Sequence, residues 1–500
     1  MTNSESSVNQ LAVSSHQRRS GRPLLFGALL CWISAAVAVS LLIVEVSFPI
    51  RIALLISGLF LLVIFSLFHK WRSSSTEWVQ PFYMLGIGMC LHFGVRAWLI
   101  AEGSNLIYIE PRLSALGASI FPLLELALVY AIIGYLFAWW GYKSRIGRIL
   151  AKHLPRISYN LASPGAVERL TLLWLAGSIA SLLSIRFGGG IYVNASLGGD
   201  LPALGVAMFI SNLRLFGLLG SWILRYRTRY PSLKLRVLCW ISLLSELAFA
   251  LIGGYKFAFF ALGCVLVIAT TYGAGRVPHW RTVILFVIIG LFAVAYVAAF
   301  REVALSYGLF VPPERLSTIV TQAWEQMWYR PAENLFGFAA QGYANRLVLD
   351  NFLIILLYTP QTVPYLHGAS LLPILYSPIP RILWPDRPTI ALTFMDIYQS
   401  GPRVGGTAVT MIGDLYRNFG PPGIPIGMFL IGVILRVVYE WLVVRSGRGV
   451  AALIIFGMLF ISWLNLAEMG LVEFTYWPLL RVLPLALMSI WFVQHPLLLR

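Results

Sequence analysis

Twelve apolar runs dominate this chain, near residues 24–46, 50–68, 80–101, 117–141, 170–186, 202–224, 237–253, 257–273, 283–300, 421–444, 450–466 and 476–494. Each is long enough to cross a bilayer, which takes about 17–25 residues as a helix. A backbone in hydrocarbon must satisfy its own hydrogen bonds, so runs of this length fold as helices. The expected fold class is therefore all-α polytopic membrane protein, with about twelve transmembrane helices and one large outward-facing loop region. Composition agrees: 59% of residues are hydrophobic and 11% charged, against roughly a quarter charged in soluble chains. The runs 237–253 and 257–273 are short and separated by only Gly254-Tyr255-Lys256, which reads as a helical hairpin with its tip at the far membrane face.

Charge sets the expected orientation. Twenty-one Lys and Arg fall in one set of loops, against only Glu5, Glu77 and Glu168. By the positive-inside rule those loops are cytoplasmic, and so are both termini. The net charge of +17 is thus a topology signal facing anionic lipid, not a nucleic-acid footprint. Four parts follow: a polar cytoplasmic tail (1–23), a membrane domain of nine helices (24–300), a large outer region (301–420), and three more helices (421–500). The run after the tail is too long for a signal-peptide core and is expected to stay as an uncleaved first span. The four cysteines lie within apolar runs without paired spacing, as small core residues do.

The outer region carries eight arginines and eight acids, together with His367 and the run Ser377-Pro-Ile-Pro-Arg-Ile-Leu-Trp-Pro-Asp-Arg-Pro388. Proline fixes its own φ and biases the preceding residue away from helix. Arg381 and Arg387 are therefore expected on a stiff loop, where a planar guanidinium is pre-aimed for phosphate oxygens. A headgroup-depth loop with Trp384 among the lipids would carry the same residues. A Gly-rich turn (401–406) and a short helix near 407–420 are expected next, the latter with Asp414 and Arg417 on one face as an ion pair or as site residues. Pro313 to Asp350 reads as amphipathic, with Trp324, Trp328 and Tyr329 beside arginines. Within the apolar runs, Arg96, Glu125, Arg214, Glu246, Arg436 and Arg481 need partners or water. Arg96 with Glu125, or Arg214 with Glu246, would make structural pairs; a polar cavity open to the outer face is the other reading. No phosphate-binding glycine loop, zinc-protease motif or serine-hydrolase elbow is present.

The Ser377–Pro388 run, then Gly413-Asp-Leu-Tyr-Arg-Asn-Phe-Gly420 ahead of an apolar span, resembles the Wzy-type repeat-unit polymerases of bacterial O-antigen and exopolysaccharide. Gly253-Gly254-Tyr255-Lys256 opening one span and Arg301 at the end of the next are similar to that family too, although many relatives have Gly-Ser-Arg or Gly-Gly-Arg at that turn. The detailed likeness covers roughly residues 250–430. It implies a GT-C-like membrane glycosyltransferase working on polyprenyl-diphosphate-linked oligosaccharide at the outer face of the inner membrane. No cofactor or metal is implied, so cations of the chain must neutralise the departing diphosphate. Arg301, Arg381 and Arg403 are the expected diphosphate ligands, with Lys256 and Arg417 beside them, and Asp414, Glu302 or His367 is the expected base. Membrane lipids, a chain-length regulator and a flippase are the implied partners, with no nucleic acid. Two other readings share the architecture: an O-antigen ligase, and a flippase or transporter for lipid-linked oligosaccharides. Carriers usually show related halves, and no internal repeat is visible here.

Overall fold

The computed structural model describes residues 47–71, 79–103, 111–157, 165–186, 202–276, 280–308, 311–329, 347–376, 379, 384, 386, 397–398 and 408–494. Regular structure among them is entirely helical. The membrane-length elements are α1 (Phe48–Trp71), α2 (Pro81–Ala101), α3 (Ile120–Lys143), α5 (Ala166–Arg186), α6 (Pro202–Arg227), α7 (Leu233–Gly253), α8 (Lys256–Gly273), α9 (Trp280–Ser306), α13 (Gly423–Arg445) and α15 (Leu471–Gln494). Between them lie shorter helices: α4 (Arg145–His153), α10 (Leu316–Tyr329), α11 (Val348–Tyr358), α12 (Met411–Phe419) and α14 (Val450–Ser462). Ten helices are thus long and apolar enough to cross a membrane, as a multi-pass membrane protein requires. They match ten of the twelve expected runs. The run 24–46 lies outside the described residues, and 450–466 folds as the 13-residue α14.

Close helix crossings hold the bundle together. Lipid is as apolar as a leucine side chain, so association in a bilayer relies on close packing, which small residues permit. At the α3–α13 crossing a Cβ on Gly432 would lie 2.0 Å from the Ala138 carbonyl oxygen. One on Gly141 would lie equally close to that of Phe429. Helix α14 runs through the middle of the main core, with every residue from Ala451 to Ile461 buried. A second, smaller core joins α9 and α10 to the ends of α7 and α8, through Ala250, Phe259, Tyr296, Phe300, Ile319 and Met327.

Helix α11 was not expected. It lies inside the stretch read as outer loop, yet it is apolar, its residues Val348 to Leu356 are all buried, and it packs against α3 and α12. The charged residues counted over 301–420, Asp350 within the run among them, obscure it. The intramembrane charges are also paired differently from expectation. Arg96 does not take Glu125; it forms a bidentate pair with Asp350 of α11, at 2.8 Å for both bonds. Glu125 instead meets Arg51 at 3.1 Å. The Arg214–Glu246 pair forms as expected, Arg436 pairs with Glu440, and Arg481 lies 4.4 Å over the Trp477 ring.

Candidate functional site

The expected site residues fall into two groups. One is built on α12, which is capped by Thr410 at its start and Gly420 at its end. Thr410 is fully buried and holds φ at +64°, a backbone state that β-branched residues rarely adopt. Its hydroxyl accepts the Gly413 amide at 2.9 Å and its own amide donates to the Glu468 carbonyl at 3.2 Å. At the other end, the amides of Leu366 and His367 donate to the carbonyls of Arg417 and Asn418, at 2.9 and 3.0 Å. The Gly368 amide reaches the Asn418 side chain. His367 itself has φ +48°. Strained residues thus hold α12 at both ends. Strain of this kind collects where function over-determines the backbone.

Asp414 and Arg417 share one face of α12 and are 1% and 4% exposed. The ion pair suggested by their spacing forms, with Arg417 Nε donating to Asp414 Oδ1 at 2.8 Å. The same oxygen accepts from Ser370 Oγ and Asn418 Nδ2, each at 3.1 Å. Asp414 Oδ2 accepts the Leu471 amide, at the start of α15, at 2.7 Å. Four donors therefore fix this carboxylate. Arg417 is less fully engaged: its Nη1 is buried and has no hydrogen-bond partner among the described residues. Buried polar groups are almost always paired, so this donor is available to an anion, as are single nitrogens of Arg51, Arg225, Arg301 and Arg436 elsewhere. Tyr398 stands close by, bonded to Thr359 at 2.8 Å. Burial pushes its phenol above its ordinary range and Asp414 adds to that, while the Thr359 bond and Arg417 oppose it. It stays a neutral hydroxyl at physiological pH.

Behind this group lie residues that sequence reasoning did not single out. His92, in a π turn of α2, meets Glu468 at 2.9 Å. Glu468 sits in the link before α15, and Glu473 sits in the first turn of that helix. Pi turns within α-helices often accompany functional sites, but no sequence signal located this one. His367 is exposed, with its ring edge-on to Tyr365 at 6.4 Å. No group of three or more His, Cys, Asp or Glu among the described residues is placed to hold a metal ion.

The second group belongs to the smaller core. Gly254 caps α7 in the left-handed conformation, φ +64°, and Arg301 Nη2 reaches its carbonyl at 3.4 Å. Lys256 is buried at the start of α8, while Glu302 is exposed on α9. A Cβ on Gly254 would lie 2.6 Å from the Phe300 ring. Left-handed backbone costs a non-glycine residue about 1–2 kcal/mol. Gly254→Ala is therefore expected to destabilise the protein by at least about that amount, seen as a lower thermal midpoint of the purified protein. An unchanged midpoint would show that the turn tolerates a side chain. Arg381 and Arg403 lie outside the described residues.

Both groups overlap one stretch matched by a family model, although His92, Glu468, Leu471 and Glu473 lie outside it. Residues 204–465 match a family model described as a domain of unknown function, DUF8712. No protein of curated function and no solved structure matches the chain. The match covers more than half of the chain and includes Lys256, Arg301, His367, Asp414 and Arg417. The protein belongs to the DUF8712 family.

Proposed function

We propose that this protein is a membrane glycosyltransferase that polymerises polyprenyl-diphosphate-linked oligosaccharide repeat units into O-antigen, capsular polysaccharide or exopolysaccharide. The work is done at the outer face of the bacterial inner membrane, with both termini cytoplasmic. The observation that carries this reading is Arg417: a buried guanidinium, aimed by a fully bonded Asp414, with one Nη free to meet an anion. The likeness of residues 377–388 and 413–420 to the repeat-unit polymerases narrows that anion to a lipid diphosphate.

In such a transfer the bond from the anomeric carbon to the diphosphate breaks, and charge builds on the departing oxygen. A donor already locked in place stabilises that charge without reorganising. Asp414 supplies the lock. Protonation would weaken the pair that holds the guanidinium, so its role is to position Arg417 rather than to take a proton. Arg381 and Arg403 are proposed as further diphosphate ligands, and Arg301 and Lys256 as a second cationic group facing the same substrate.

A strain deleted for the gene tests this directly. Gels of its surface polysaccharide are expected to lose the long ladder and keep single-repeat products, with the ladder restored by the wild-type gene. An unchanged ladder overturns the proposal. Long polymer that accumulates on its lipid carrier, unattached to lipid A core, would make the protein a ligase. Repeats trapped on the cytoplasmic side would make it a flippase.

A further inference from the structure

We infer that Glu473 is the catalytic carboxylate that takes the proton from the acceptor hydroxyl. This assignment rests on the proposed glycosyl transfer and supplies its base. A base needs a free lone pair within reach of the reacting oxygen. Asp414 is poorly suited, since four donors hold it, three on Oδ1 and one on Oδ2, and a proton there would weaken the pair that aims Arg417. Glu302 lies on α9, which packs on α8 and α10.

Glu473 meets the requirements. Its side chain is exposed, yet it lies within the electrostatic reach of Asp414, Glu468 and Arg417. Among the described residues its one hydrogen bond is from the Gly470 amide to Oε2, at 3.3 Å. The backbone that carries it is fixed by the same residue that aims Arg417: Asp414 Oδ1 holds the guanidinium, and Oδ2 holds the Leu471 amide two positions before Glu473. Gly470 completes the arrangement, because a Cβ there would lie 3.1 Å from Asp414 Oδ2. One buried carboxylate thus sets the relative positions of a cation for the leaving group and a carboxylate for the nucleophile.

The step balances. A lone pair of the acceptor hydroxyl forms the new C–O bond at the anomeric carbon while the bond from that carbon to the diphosphate breaks. The bonding pair leaves on the diphosphate, opposite Arg417, and the hydroxyl proton passes to Glu473. Water then takes that proton and restores the carboxylate.

Glu473 also caps its helix, and a cap alone would explain its single bond. Glu473→Gln separates the two roles, because the amide oxygen still accepts from Gly470 but cannot take the proton. The assay uses the purified full chain in nanodiscs and the lipid-linked oligosaccharide pool extracted from the deletion strain. Glu473→Gln is expected to keep the wild-type thermal midpoint and to elongate that pool roughly 10²–10⁴-fold more slowly, the usual contribution of a general base. Glu473→Asp, which keeps a carboxylate, is expected to be at least about tenfold faster than Glu473→Gln. If Glu473→Gln folds and works within about threefold of wild type, the assignment of Glu473 is overturned while the polymerase reading stands. If the wild type leaves the pool unextended, the polymerase reading falls and takes Glu473 with it. Should Glu473→Gln fail to accumulate, the size-matched pair Glu473→Asp and Glu473→Asn gives the same contrast: equal rates overturn the assignment.

Discussion

Asp350→Ala is expected to destabilise the protein by about 3–5 kcal/mol, the usual cost of removing one partner from a buried ion pair. Arg96 is 2% exposed at its side chain and Asp350 is fully buried. Both bonds between them are 2.8 Å long and run in parallel, the strongest geometry this pair of groups adopts. Truncation at Asp350 leaves a buried guanidinium without its carboxylate. Water cannot readily solvate it there. The protein should accumulate poorly in the membrane, and what accumulates should melt well below wild type. A double variant, Arg96→Met with Asp350→Leu, is expected to recover most of the loss, because replacing both charges by apolar groups of similar volume is often neutral. An equal loss in the double variant would show that the pair is needed for more than mutual neutralisation, and would point to a role in the polar site that α11 abuts.

That pair also shows where sequence reasoning stops. The bilayer requires a helix wherever an apolar run is long enough, so run length alone located ten membrane-length helices to within a few residues. Run length does not say which helices touch. Arg96 and Glu125 lie in neighbouring expected spans and looked like partners, but Arg96 is matched by Asp350, 254 positions along the chain. Its helix was missed because eleven residues, apolar apart from Asp350 and Asn351, vanish within a 120-residue stretch judged by its charges. Local geometry was more legible. Residues three apart on a helix share a face, and Asp414 and Arg417 bond as that spacing requires. Glu473 escaped notice for a simpler reason. The last span was expected to begin at 476, whereas α15 begins at Leu471, so Glu473 fell in an unread link between two spans. His92 and Glu468 could be brought together only by the fold.

Arg417→Lys should separate charge from geometry and give a large loss of activity. Lysine keeps the positive charge but offers a single ammonium instead of a planar fork. In the wild type, Nε is spent on Asp414 and Nη1 remains for the anion. These two bonds leave one guanidinium in different directions, and an ammonium that moves toward the Asp414 carboxylate cannot also stand where Nη1 does. The variant should therefore fold, with its ion pair to Asp414 intact, and still lose the donor that meets the leaving group. Removing one preorganised donor of this kind typically lowers the rate by about 10²–10³-fold. The loss should appear in the rate at saturating substrate, because the oxygen that Nη1 meets carries its full charge only as the bond breaks. A variant that binds the lipid-linked oligosaccharide more weakly but turns it over at the wild-type rate would place Arg417 in ground-state binding. A variant with wild-type kinetics would remove it from the site, and the orphaned Nη1 would then need another partner.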